Sequence, residues 1–223
     1  MHAQIVLIDG FDPLDVVAPF EVLAAGSDAL GGGMDVRLVS AEGPRTVVSG
    51  TRGLTLEATA VLDPSLEGFI IVPGASGPID ADPGEVDTIP ILLARVGETK
   101  LPELITQAFA NPDVLVATVC GGSLALAMAG LLDGRHAVTH VQGMDVLDAT
   151  GVSTINARVV DDGDFVSAGG VTSGLDLGLY LLERQFGPAI AIEVERLFEY
   201  ERRGVVWRDP ESLRPLRILA GSK

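Results

Sequence analysis

Cys120 is the only cysteine of the 223-residue chain, and the residues around it suit a reactive thiol. The stretch from Val114 to Ala127 reads as a buried strand, a tight turn and a helix, with Cys120 at the turn and Gly121-Gly122 directly after it. Glycines permit backbone paths closed to other residues. A helix start presents unpaired N–H groups and a partial positive charge. Both favour thiolate over thiol, so a lowered pKa and raised reactivity are expected for Cys120. The spacing predicts a nucleophile raised on a sharp strand-to-helix turn. The competing reading of an isolated cysteine is a small buried hydrophobe.

A thiol of this kind needs a proton partner and a place for developing negative charge. Asp15 follows the first apolar run and stands at the start of a helix, in Asp12-Pro13-Leu14-Asp15. It could be a carboxylate stabilised by the helix dipole or a cap. It could instead stand beside Cys120, where a neighbouring thiolate would raise its pKa and let it hold and deliver a proton. Asp12 and Glu21 compete for that role. In Pro73-Gly74-Ala75 the main-chain N–H groups of Gly74 and Ala75, with that of Gly121, could stabilise an oxyanion. His140 follows a short strand and could form a Cys–His pair. His2 and His136 carry no such signal. Gly169-Gly170 precedes a helix but lacks a dinucleotide fingerprint, so no nucleotide is expected.

These groups must be positioned by a scaffold, and the composition bounds it. Hydrophobic residues make up 47% of the chain, enough for a substantial core. One cysteine excludes an internal disulfide framework and a multi-cysteine zinc site, and it fits a reducing, cytoplasmic setting. The start of the chain lacks a basic segment followed by a long apolar run, so no signal peptide is expected. No segment has the ~18 uninterrupted apolar residues of a membrane span. The net charge of −16, from 31 acidic and 15 basic residues, disfavours binding to nucleic acid or to an anionic membrane.

Along the chain, strands are expected at residues 3–8, 34–40, 68–72 and 114–119, with a short β excursion at 47–59. Helices are expected at 15–25, ending at Gly26, and at 101–110, 123–132 and 142–150. Residues 76–100, rich in Pro and Gly, read as a long loop or lid. A short strand at 137–140 and a hairpin of 157–161 and 164–168 about Asp162-Gly163 follow. The last helices run from about 173 to 186 and from 188 to about 203. The alternation implies one domain, residues 1–203, with a mainly parallel sheet covered on both faces, and a tail, 204–223. In such sheets functional groups gather at the carboxyl ends of the strands, so the turns after Ile8, Val72 and Val119 should meet.

The motifs Leu14-Asp15-Val16-Val17-Ala18-Pro19-Phe20-Glu21-Val22-Leu23, Val72-Pro73-Gly74-Ala75, Ala117-Thr118-Val119-Cys120-Gly121-Gly122-Ser123 and Ala129-Gly130-Leu131-Leu132-Asp133-Gly134-Arg135 resemble the DJ-1/PfpI superfamily. So do Val138-Thr139-His140 and the stretch from Ala168 to Asp176. The pattern is most similar to the isocyanide hydratase branch. The resemblance implies a flavodoxin-like three-layer sandwich and a homodimer. It implies Cys120 as nucleophile, Asp15 as its acidic partner, and oxyanion contacts from Gly74, Ala75 and Gly121. Two positions depart from the branch: Gly121 stands where threonine is common, and Val141 where an aromatic residue is.

The expected activity is therefore a cysteine-dependent hydration of a small-molecule isocyanide to an N-substituted formamide, through a thioimidate on Cys120. It requires no metal or organic cofactor. A glyoxalase-like activity on small aldehydes, with His140 moving protons, is the second reading. A non-enzymatic redox or stress sensor is the third.

Overall fold

The apolar runs at residues 68–72 and 114–119 are continuous rather than alternating, the pattern of strands buried on both faces. In the structure, a computed structural model that describes residues 1–80 and 87–208, both become strands at the centre of one sheet. The elements are, in chain order, β1 (His2–Val6), α1 (Pro13–Ala29), β2 (Asp35–Ser40), β3 (Arg45–Val48), β4 (Thr55–Ala58), β5 (Ala60–Val61), β6 (Gly68–Val72), α2 (Ile89–Arg95), α3 (Leu101–Ala110), β7 (Val114–Val119), α4 (Gly122–Met128), β8 (His136–Ala137), α5 (Met144–Asp148), β9 (Ser153–Thr154), β10 (Val159–Asp161), β11 (Phe165–Ala168), α6 (Ser173–Phe186), α7 (Pro188–Phe198) and β12 (Trp207–Arg208). Short 3-10 turns occupy Val96–Glu98 and Val141–Gly143.

The main sheet runs β12-β10-β11-β7-β6-β1-β2-β5. Its pairs are parallel except β10 with β11, the hairpin that Asp162-Gly163 turns. Helices α1, α6 and α7 pack together against the sheet, and α2 and α4 pack against each other elsewhere. This is the flavodoxin-like α/β architecture expected. Because β6 lies between β1 and β7, the turns leaving these three strands adjoin at one end of the sheet. An isolated bridge between Phe11 and Ala75 joins the first two, through Asp12 N–H to Gly74 O at 3.0 Å and Ser76 N–H to Gly10 O at 3.0 Å.

Several sequence expectations are corrected by packing. Helix α1 does not stop at Gly26 but passes through it to Ala29. A Cβ on Gly26 would lie 2.4 Å from a methyl of Leu182, so this glycine lets α1 and α6 approach closely rather than ending the helix. The 76–100 segment is not simply a loop, since residues 89–98 form α2 and a 3-10 turn; residues 81–86 lie outside the described residues. Helix α4 ends at Met128, short of residue 132, with Gly130 turning the chain at φ +76°. Helix α7 ends at Phe198, where Glu199 adopts a left-handed φ of +48°. The beginning of the expected tail is part of the fold: Trp207 and Arg208 add β12 to β10, and residues 209–223 lie outside the described residues.

Candidate active site

Asp12 and Asp15 are three residues apart on the first turn of α1, and the helix start gives them different tasks. Asp12 is the N-cap: its Oδ1 accepts the N–H of Leu14 at 2.9 Å, with Pro13 beginning the helix. Glu21 is exposed. Asp15 points inward and has no accessible surface. Its Oδ2 accepts the N–H of Gly74 at 3.0 Å. Its Oδ1 is buried without a formed hydrogen bond, and the thiol of Cys120 stands within interaction range of the carboxyl group. Of the three acids weighed from the sequence, Asp15 is the one the fold brings to the cysteine.

Cys120 occupies the predicted elbow, with a left-handed φ of +53° between β7 and α4. A non-glycine residue in this region costs about 1–3 kcal/mol and must be held by its surroundings. Here its N–H donates to the carbonyls of Ala168 (3.0 Å) and Gly169 (2.9 Å), and its carbonyl accepts the hydroxyl of Thr139 at 2.7 Å. Ser123 fixes the next turn: its Oγ donates to Val138 O at 2.7 Å and lies 2.6 Å from Thr118 Oγ1. Glycines let the segments close. A Cβ on Gly122 would lie 2.2 Å from Val72 O, and one on Gly74 would lie 2.5 Å from Gly121 N and 3.0 Å from Asp15 Oδ2.

Electrostatics at the pair differ from the sequence expectation in two respects. Burial, reinforced by Asp12, pushes Asp15 up to about 8, against the opposing hydrogen bond from Gly74 and the nearby thiol of Cys120. A rise was expected, but from a neighbouring thiolate; burial and Asp12 cause it here, and Cys120 opposes it. Cys120, in contrast, is pushed up to about 12 rather than lowered. Burial is the largest cause and the Asp15 charge the second; the main-chain N–H groups of Val171 and Gly121 favour the thiolate but do not win. The helix-start argument holds in sign and loses in magnitude, because the thiol is only 6% exposed. Two adjacent negative charges are thus disfavoured, and a thiolate forms most readily while Asp15 keeps a proton.

The expected main-chain donors are distributed differently from the sequence reading. Gly74 N–H is committed to Asp15. Gly121 N–H faces the sulfur, joined by Val171 N–H, which no side-chain pattern announces. Ala75 is buried in the bridge to Phe11. Val171 has an unusual φ of +20°, and its loop is anchored by Arg158, which donates to Asp176 Oδ2 at 2.5 Å and Thr172 Oγ1 at 2.9 Å. Tyr200 and the N–H of Arg203 also bond Asp176, at 2.9 and 2.8 Å. His140 does not hydrogen-bond Cys120. Its Nδ1 accepts the N–H of Gln142 at 3.3 Å, and its ring lies against Gly170, where a Cβ would come within 2.7 Å.

Among the described residues, no three His, Cys, Asp or Glu side chains gather as a metal ion would need, and no helix is long and apolar enough to cross a membrane. A cavity of about 300 Å³ lies beside Leu92, with Ile8, Asp9, Arg45 and Val96 in its wall; neither Cys120 nor Asp15 lines it. Arg45 at its edge is paired with Asp9 at 2.8 Å.

A model of the DJ-1/PfpI family matches residues 1–184. An isonitrile hydratase from Pseudomonas putida is 32% identical over 191 residues, 84% of this chain and 73% of that protein. A deglycase from Thermococcus kodakarensis is 27% identical over 172 residues, 75% of this chain and 89% of that protein. Among solved structures, a ThiJ/PfpI family protein from Pseudomonas syringae superposes with a TM-score of 0.74 at 23% identity, covering 91% of this chain and 76% of that one.

Proposed function

The chain belongs to the DJ-1/PfpI family, and from that premise we propose that it is a cysteine-dependent hydratase converting an isonitrile to an N-substituted formamide. The observation that carries the reading is the buried pairing of Cys120 with Asp15. The similarity to the Pseudomonas putida isonitrile hydratase over 84% of the chain supports it.

In the reacting form the pair holds one proton, on Asp15, and sulfur is thiolate, faced by the N–H groups of Gly121 and Val171. The sulfur electron pair forms a bond to the terminal isonitrile carbon. Asp15 gives its proton to that carbon, which completes a thioimidate with a C=N bond and leaves Asp15 a carboxylate. Water then adds through oxygen to the same carbon, and Asp15 takes the water proton and passes it to nitrogen. When the C–S bond breaks, its electrons return to sulfur and the hydroxyl proton returns to Asp15. One water is consumed, the formamide leaves, and the pair is restored.

Incubation with methyl isonitrile should yield N-methylformamide, and Cys120→Ala should abolish it. Absence of formamide from a folded protein with an alkylatable Cys120 overturns the proposal. The similarity to a deglycase favours aldehyde chemistry as the second reading, for which lactate from methylglyoxal is the assay. The proposal includes a homodimer, to be measured by light scattering, acting in the cytoplasm.

A further inference from the structure

Two consecutive leucines of α2 each rest on a glycine of a different loop. A Cβ on Gly10, in the turn after β1, would lie 2.6 and 2.8 Å from the two methyls of Leu92. A Cβ on Gly121, next to the nucleophile, would lie 3.0 and 3.3 Å from the two methyls of Leu93. The isobutyl group of Leu93 therefore takes the space that a side chain at position 121 would claim. Leu93 is 2% exposed and Cys120 6% exposed, so this contact belongs to the enclosure of the thiol.

We infer that Leu93 is a specificity-determining residue, which limits the substituent carried by the electrophile that Cys120 attacks to a small group. The inference rests on Cys120 being the reacting group, as proposed above. Absence of a side chain at 121 does not widen the site, because α2 fills the vacancy from the opposite wall. A substituent placed on this side of the thiol would meet the two methyls, and a dense wall rejects added bulk steeply.

The test uses the single cysteine. Rates of Cys120 alkylation by N-methylmaleimide and N-phenylmaleimide are measured in wild type, Leu93→Ala and Leu93→Phe. Taking the phenyl-to-methyl ratio within each protein cancels the thiolate fraction. Leu93→Ala should raise the ratio about tenfold or more, the discrimination of a lost pocket wall, and Leu93→Phe should lower it. A ratio unchanged in both folded variants overturns the inference; if Leu93→Ala does not fold, Leu93→Phe alone decides. Loss of the hydratase reading would show instead as missing formamide with the ratio still shifting, so the two failures are separable.

Discussion

The hydroxyl of Thr139 donates to the main-chain carbonyl of Cys120 at 2.7 Å. It thereby holds the backbone at Cys120 from a strand connection nineteen residues away. Together with the carbonyls of Ala168 and Gly169 that receive its N–H, this bond keeps Cys120 at φ +53°. Thr139→Val keeps the shape and removes the donor. It should cost about 1–3 kcal/mol of stability, read as a fall in the denaturant midpoint. Formamide production should fall as well, and unchanged kinetics in this variant would mean that the elbow is held by its N–H side alone.

Asp15 makes stability depend on pH. Its folded pKa, about 8, exceeds its unfolded value near 4. Below pH 4 both states are protonated and nothing is lost. Between about 4 and 8 the unfolded chain has released a proton that the folded chain keeps, so stability falls as pH rises, by at most about 1.4 kcal/mol per pH unit from this group. Asp15→Asn should flatten the decline and melt higher than wild type at pH 8. Parallel pH profiles for the two proteins would refute a protonated Asp15.

The thiol should titrate late. Alkylation of wild-type Cys120 by iodoacetamide is expected to rise with pH well beyond the ordinary thiol range near 8.5, because burial holds the pKa up to about 12. Removing the neighbouring charge with Asp15→Asn should move the profile to lower pH while turnover is lost. A profile moving to higher pH would reverse the roles assigned to the pair.

Gly74 is where three chain segments converge. Gly74→Ala would drive a methyl to 2.5 Å from Gly121 N and 3.0 Å from Asp15 Oδ2, and neither neighbour can yield without separating the turns. We expect a loss of about 2 kcal/mol or more, as for overpacking, and at least a hundredfold lower kcat. An alanine variant of normal stability and rate would show that the turns can part harmlessly.

Much of this was legible because it followed chain-local rules. The elbow is visible in apolar residues running into Cys120-Gly121-Gly122, and the meeting of the three turns follows from parallel-sheet topology. Asp15 was named but not separated from Asp12 and Glu21, since capping geometry decides which carboxylate turns inward. What stayed hidden depended on distant contacts. Val171 contributes a main-chain N–H, to which residue type is indifferent. Leu93 is one leucine in a segment whose Pro and Gly residues suggested a loop. Gly26 looked like a helix stop because its partner, Leu182, lies 156 positions later. The direction of the Cys120 shift was missed for the same reason: the helix start is local, whereas burial is supplied by the whole fold.

The absence of accessible surface on Asp15 has a kinetic corollary. Through neutral pH the carboxyl group keeps its proton, so the remainder of the formal charge of −16, which counts Asp15 as ionised, is carried by other residues while the Cys120–Asp15 pair is close to uncharged. A neutral electrophile diffusing toward it is neither drawn nor repelled by the surface field, whereas an anionic one would be repelled until salt screened it. The second-order rate for an isonitrile should therefore be level from about 0.01 to 0.5 M ionic strength, which would make this strongly acidic protein indifferent to salt in its chemistry.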